Sequence, residues 1–347
     1  MTIIYFILML GIIVLVHEFG HFLFAKLFGV YVYEFSIGMG PRIWSKKDKK
    51  KETTYSLKLL PIGGSVALAG EEVDDDKKIP KNRKLQAKPV WQRFLIMFFG
   101  AGFNFVLAIV VLFLSGLIFG SPNMDPVFTK VVKDSPMYEA GVRDGDKVLA
   151  IDGNNISTID DVGLYIAIAG AGEEVEFKIK NTDGRVFTEK VKPRLEKDDK
   201  GKEVYRFGVT YGGDKDKGIL EAGGYAIKKT GSLFKQMFVT FKCLFTGKLG
   251  MDNVGGPVAI YGIVGDSKEA GMQSLMMLLA LLCINVGFIN LIPFPAFDGG
   301  RILFLFIEKI KGSPVKAETE NKIHMIGFML LMILIIYITI KDVIGLF

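Results

Sequence analysis

His17-Glu18-Phe19-Gly20-His21 sits in an apolar run whose only charged side chain before Lys26 is Glu18. The chain has three histidines in all, and two of them are here, four positions apart. On a helix, positions i and i+4 share a face, so both imidazoles reach one ion while Glu18 stands beside its open coordination position. Two histidine ligands and a carboxylate base are the working parts of a zinc hydrolase. The setting sharpens that reading. Each ionisable group in a membrane span costs on the order of 2.5–3.5 kcal/mol, and hydrocarbon offers no water to stray polar groups, so three together require a purpose.

The elements that must hold these residues are membrane spans. The 347 residues are 50% hydrophobic, with 28 Phe and 14 Met. Four stretches reach the length of about 20 apolar residues that a bilayer demands: Thr2–Ala25, Phe94–Phe119, Met272–Phe297 and Ile323–Ile340. The first is expected to be a retained span, because Met1-Thr2-Ile3-Ile4 has no basic n-region and no small-residue cleavage site follows. Net charge is +6, but its distribution says more. Residues 26–93 hold 15 Lys/Arg against 8 Asp/Glu, whereas residues 121–272 hold 22 against 23. The positive-inside rule therefore puts 26–93 in the cytoplasm and the middle segment outside. The basic balance describes topology and gives no argument for nucleic-acid binding. Cys243 and Cys283 show no CxxC spacing and read as buried small hydrophobes.

Between the spans, Tyr55–Leu60 and Ser65–Ala69 flank Pro61-Ile62-Gly63-Gly64 and read as a β-hairpin, either an ordinary one or a strand edge that clamps an extended peptide. Gly100, Gly102 and Asn104 in the second span read as helix-packing positions. Residues 125–194 have the pattern of a small β-rich domain, with strand-like runs at 127–132, 147–151 and 175–179. Tyr225–Phe245 repeats Phe and Met at helical spacing between lysines, which suits a helix lying on the membrane surface or packed on the β-domain.

The third span ends in Asn290-Leu291-Ile292-Pro293-Phe294-Pro295-Ala296-Phe297-Asp298-Gly299-Gly300. Its prolines cannot continue a helix, and broken backbone at membrane depth is tolerated where it lines a site or is buried in protein. Spans one and three both run outside to inside, so Asp298 falls at the same face as His17 and His21. That nominates Asp298 as the third ligand of one zinc ion, leaving the fourth position to water. His324 is expected to be an interfacial residue without chemistry.

With those residues assembled, HEFGH, Gly38-Met39-Gly40-Pro41, Pro61-Ile62-Gly63-Gly64 and the 290–300 run resemble the site-2 protease family of intramembrane zinc metalloproteases, bacterial RseP-type, over nearly the whole chain. The 125–194 region, through its Ala140–Gly153 stretch, resembles a PDZ domain of the protease type. The resemblance implies Zn2+ on His17, His21 and Asp298, Glu18 as catalytic residue and Asn290 in substrate binding. It implies an α-helical multi-pass membrane protein with about four transmembrane helices, a cytoplasmic membrane-associated β-hairpin region and an inserted extracytoplasmic PDZ-like α+β domain. The corresponding divisions are 1–120, 121–222, a membrane-surface linker 223–271, and 272–347. It further implies a bacterial inner-membrane enzyme of regulated intramembrane proteolysis, with its active site near the cytoplasmic side. Its partners would be the lipid bilayer, a peptide ligand of the PDZ domain, and single-span membrane substrates such as anti-sigma factors or remnant signal peptides. Phe297 stands where the family commonly has Leu, and one PDZ-like region is evident where some relatives carry two. The rival readings are a membrane-anchored PDZ scaffold with a structural or vestigial zinc site, and a zinc transporter, which histidines clustered at one depth disfavour.

Overall fold

The structure, a computed structural model, describes residues 1–49, 52–71, 78–197, 201, 203–212, 215–250 and 254–345. In chain order its helices are α1 (Thr2–Leu27), α2 (Val90–Phe119), α3 (Pro136–Glu139), α4 (Ile159–Ala169), α5 (Ile219–Phe245), α6 (Pro257–Ala270), α7 (Met272–Leu291), α8 (Asp298–Lys311) and α9 (Ala317–Ile344). The chain divides into two units, Met1–Val111 with Val254–Phe347, and Leu112–Asn253. Among the described residues four helices are long and apolar enough to cross a membrane: α1, α2, α7 and the Glu318–Ile344 part of α9.

All four differ in extent from the sequence expectation: α1 runs on to Leu27, α2 starts early at Val90, and α7 and α9 change most. α7 stops at Leu291, short of Phe297, because Pro293 cannot extend the helix and the Ile292 backbone is already extended. α9 begins at Ala317, ahead of Ile323, with Glu318 and Glu320 in its first turn, where acidic side chains favour the positive end of the helix dipole.

In the first unit, strand β1 (Val32–Lys47) pairs with strand β2 (Thr54–Leu68). The expected hairpin about Pro61–Gly64 is not what forms. β1 lies between the two runs: Phe35 pairs with Val66 and also with Tyr55, while Lys46 pairs with Tyr55 from the far half of β1. Residues 64–68 thus form an outer strand. A buried apolar group of Ala25, Val30, Val32, Leu68, Leu85, Ile96, Met97 and Ile302 locks α1, α2, α8 and the sheet together.

The second unit is α+β. Strands Lys147–Ile151, Val175–Lys180 and Val186–Val191 form an antiparallel sheet, and Phe128–Val131 pairs with Val209–Tyr211. Val175, Phe177 and Ile179 alternate into a core with Phe128, Met137, Val148 and Ile151, as the period-two pattern predicts. α4 opens on a capping box, Thr158 bonding the Asp161 amide and Asp161 returning to the Thr158 amide. α5 starts at Ile219, ahead of Tyr225. Its Lys229 and Lys235, two of the lysines that interrupt the apolar pattern, pair with Asp160 and Asp161 at the start of α4.

Candidate active site

α1 carries His17, Glu18 and His21. His21 is buried, and its Nδ1–H donates to the Ile96 carbonyl of α2 at 2.8 Å. That bond sets the tautomer and leaves the Nε2 lone pair free for a cation. Two glycines make the room. A Cβ on Gly20 would stand 2.0 Å from the Phe99 carbonyl oxygen, so α1 and α2 meet backbone to backbone at that level. A Cβ on Gly100 would stand 2.3 Å from His21 Nε2, so the imidazole occupies space a side chain would fill.

Asp298 opens α8. Its Oδ2 lies 3.1 Å from His17 Nε2 and 3.3 Å from His21 Nε2, and the two nitrogens are 3.2 Å apart. A tetrahedral zinc with bonds of about 2.0–2.1 Å sets its ligand atoms about 3.3 Å apart. The three atoms therefore have the spacing of one face of that tetrahedron. Asp298 Oδ2 is also buried without a hydrogen-bond donor. An ionised oxygen in that state is costly unless a cation neutralises it, so the donor set and its burial fit zinc. Among the described residues, His17, His21 and Asp298 are the His, Cys, Asp and Glu side chains that converge in this way.

Glu18 turns toward β2, where its Oε2 accepts the Val66 backbone N–H at 3.1 Å. The outer strand therefore touches the carboxylate directly. Gly64 permits this approach, since a Cβ there would already lie 3.5 Å from Glu18 Cγ and 2.8 Å from the Ser36 carbonyl oxygen. Asn290 is half-buried in the last turn of α7.

α8 is tied down beyond Asp298. Arg301 pairs with Glu71, in the turn that follows β2, and Arg93 at the start of α2 forks onto Glu308. These pairs line a cleft of about 290 Å³. Two further contributors have little signal in the sequence. Ile96 acts through its carbonyl, which no residue type announces. His324, expected to be interfacial, is half-buried against the 292–297 loop and accepts the Ala296 N–H on Nδ1 at 3.1 Å.

The model of peptidase family M50 matches residues 5–334. A Clostridium perfringens protein is 39% identical over 345 residues, covering 99% of each chain. The regulator of sigma-W protease RasP of Bacillus subtilis is 31% identical over 423 aligned positions, covering 100% of this chain and 99% of its own. The zinc metalloprotease RasP of Bacillus licheniformis is 32% identical over 425, covering 100% and 99%. A solved PDZ domain of the SdrC-like protein of Listeria monocytogenes matches 25% of this chain and 88% of its own at 26% identity, with a TM-score of 0.21. Four helices long and apolar enough to cross a membrane, one of them bearing HExxH, and relatives named zinc metalloprotease place this chain among the membrane zinc metalloproteases. It belongs to peptidase family M50.

Proposed function

We propose that this enzyme cleaves single-span membrane proteins within or near the bilayer, with His17, His21 and Asp298 holding one zinc and Glu18 acting as general base. The observation that carries the reading is the 3.1–3.3 Å spacing of the three ligand-type atoms, two from α1 and one from α8. Bound there, zinc supplies Lewis-acid polarisation of the scissile carbonyl and a water acidified toward a pKa of ~7. The rest falls to the chain's own residues. Glu18, through a carboxylate oxygen, takes the proton of the attacking water and delivers it to the leaving amine. Its hydrogen bond to Val66 fixes the carboxylate against the strand edge on which an extended substrate would lie. A substrate helix hides its backbone in i→i−4 bonds, so it unwinds before attack, and pairing along residues 64–68 replaces those lost bonds. Asn290 is assigned to substrate binding.

The charge distribution supports an active site near the cytoplasmic face and an extracytoplasmic segment after α2. That segment is assigned a PDZ-like domain that screens or docks substrates, in a bacterial inner-membrane protein. The Bacillus subtilis relative is described as a regulator of sigma-W, which supports regulated proteolysis of anti-sigma factors, with remnant signal peptides as a second substrate class. The scaffold alternative needs a fourth protein ligand to close a structural zinc site. Among the described residues three converge.

The test is Glu18→Gln, assayed on a reconstituted transmembrane peptide. Cleavage falls by about 10²–10⁴-fold while zinc content stays near one per chain. Full activity in that variant excludes Glu18 as the base.

A further inference from the structure

Ala296, two residues before Asp298, has φ +98°. That is left-handed backbone which an L side chain adopts at a cost of about 1–3 kcal/mol, and which persists only where neighbours enforce it. The neighbours are identifiable. Pro293 and Pro295 have no N–H to give. The amides of Phe294, Phe297 and Gly300 are satisfied inside the loop, by the carbonyls of Ile292, Phe294 and Phe297. The Ala296 amide points out of the loop instead and donates to His324 Nδ1 at 3.1 Å. A helix such as α9 spends its interior carbonyls on its own ladder, so it offers an acceptor to a neighbour through a side chain. Imidazole suits the task because it is rigid and carries its acceptor close to the backbone.

One turn further along α9, Gly327 faces the same peptide. A Cβ there would stand 2.3 Å from the Pro295 carbonyl oxygen, so α9 seats directly on the bend. Gly299 and Gly300 fold the start of α8 against the loop as well, where a Cβ would lie 2.2 Å from the Ile292 carbonyl oxygen and 2.5 Å from that of Phe294. The ring of Phe304, on α8, packs beside the His324 ring with centroids 5.7 Å apart.

We infer that His324 is a positioning residue for the metal site: by accepting the Ala296 N–H it holds the strained bend that aims Asp298 at His17 and His21. α9 supplies none of the three converging side chains, yet through His324 and Gly327 it is the template on which the third one is set. The inference rests on the assignment of Asp298 to zinc. Metal–ligand geometry tolerates errors of only about 0.2 Å, so a loosened bend is felt as lost affinity.

The experiment measures zinc affinity by competition with a chromophoric chelator, alongside kcat and KM on a reconstituted transmembrane peptide. His324→Ala weakens zinc by about 10–100-fold, the range typical of outer-shell partners, and lowers kcat with KM little changed. His324→Asn, which keeps an acceptor oxygen, recovers part of both. Ala296→Gly added to His324→Ala recovers most of the affinity, because glycine holds φ +98° unaided. If His324→Ala folds poorly, the His324→Asn chain and the double variant carry the same comparison. Parental zinc affinity in His324→Ala, or no recovery on adding Ala296→Gly, overturns the inference. An unsubstituted chain that binds no zinc at these residues refutes the metal assignment instead.

Discussion

Replacing Gly100 by alanine is the smallest change that strikes the site. The new Cβ would sit 2.3 Å from His21 Nε2 and 2.4 Å from Cε1. Ordinary contact lies at about 3.5 Å, so roughly 1.2 Å must be found. The imidazole has nowhere to yield, since its Nδ1 is held by the Ile96 carbonyl. The helices cannot slide closer elsewhere to compensate, because Gly20 already rests on the Phe99 carbonyl. A displacement of that size is about six times the tolerance of a zinc–nitrogen bond. Zinc affinity in Gly100→Ala therefore falls by more than the roughly 100-fold upper range for outer-shell changes, and peptide cleavage falls with it. The fold is not at risk from helix propensity, which favours alanine over glycine by about 1 kcal/mol. Gly102→Ala is the control on the same helix: its Cβ meets Phe99 Cδ1 at 3.1 Å, which a few tenths of an ångström relieve. Chelator competition on both variants decides the matter. Parental zinc affinity in Gly100→Ala would refute the packing argument.

Two other perturbations probe the scaffold. Lys229→Met leaves Asp160 with Ser232 as its remaining hydrogen-bond donor at that site, a loss of about 1.5–3 kcal/mol for a charge-assisted bond, so amide exchange in α5 accelerates by about tenfold or more while Val175–Lys180 stays protected; unchanged α5 protection means that the helix is held by other contacts. Burial acts to raise the Glu34 carboxyl, but Arg42, Ser56 and Lys58 outweigh it and hold Glu34 below its ordinary value. A depressed carboxyl stabilises the sheet fully above its unfolded pKa and loses that contribution as pH falls through the folded value, so the acid loss begins below about pH 4.3. Trp44 fluorescence in a Trp91→Phe background reports it, and Glu34→Gln flattens the profile; an identical acid loss in Glu34→Gln assigns the transition to another group.

What the sequence makes visible here follows from rules of local spacing. HExxH announces two imidazoles on one face, four apolar runs announce candidate spans, and the expected topology nominates Asp298 to join them. The alternation at Val175, Phe177 and Ile179 likewise reports its own burial. What stayed hidden depends on partners distant in the chain. Tyr55–Leu60 and Ser65–Ala69 look like two arms of one hairpin, but β1 lies between them, with Phe35 pairing on one edge with Val66 and on the other with Tyr55. Lys229 and Lys235 show in the sequence only as interruptions of an apolar pattern, until Asp160 and Asp161 of α4 are placed beside them. His324 looks interfacial because nothing near it in sequence reveals that Ala296 needs an acceptor.

The central assignment is most directly tested by zinc K-edge absorption on the purified membrane protein and its Asp298→Ala variant. The predicted first shell is two imidazole nitrogens, one carboxylate oxygen and one solvent oxygen at about 2.0–2.2 Å, with the carboxylate contribution lost in the variant. A sulfur scatterer in the shell, or a spectrum unchanged by Asp298→Ala, would contradict it.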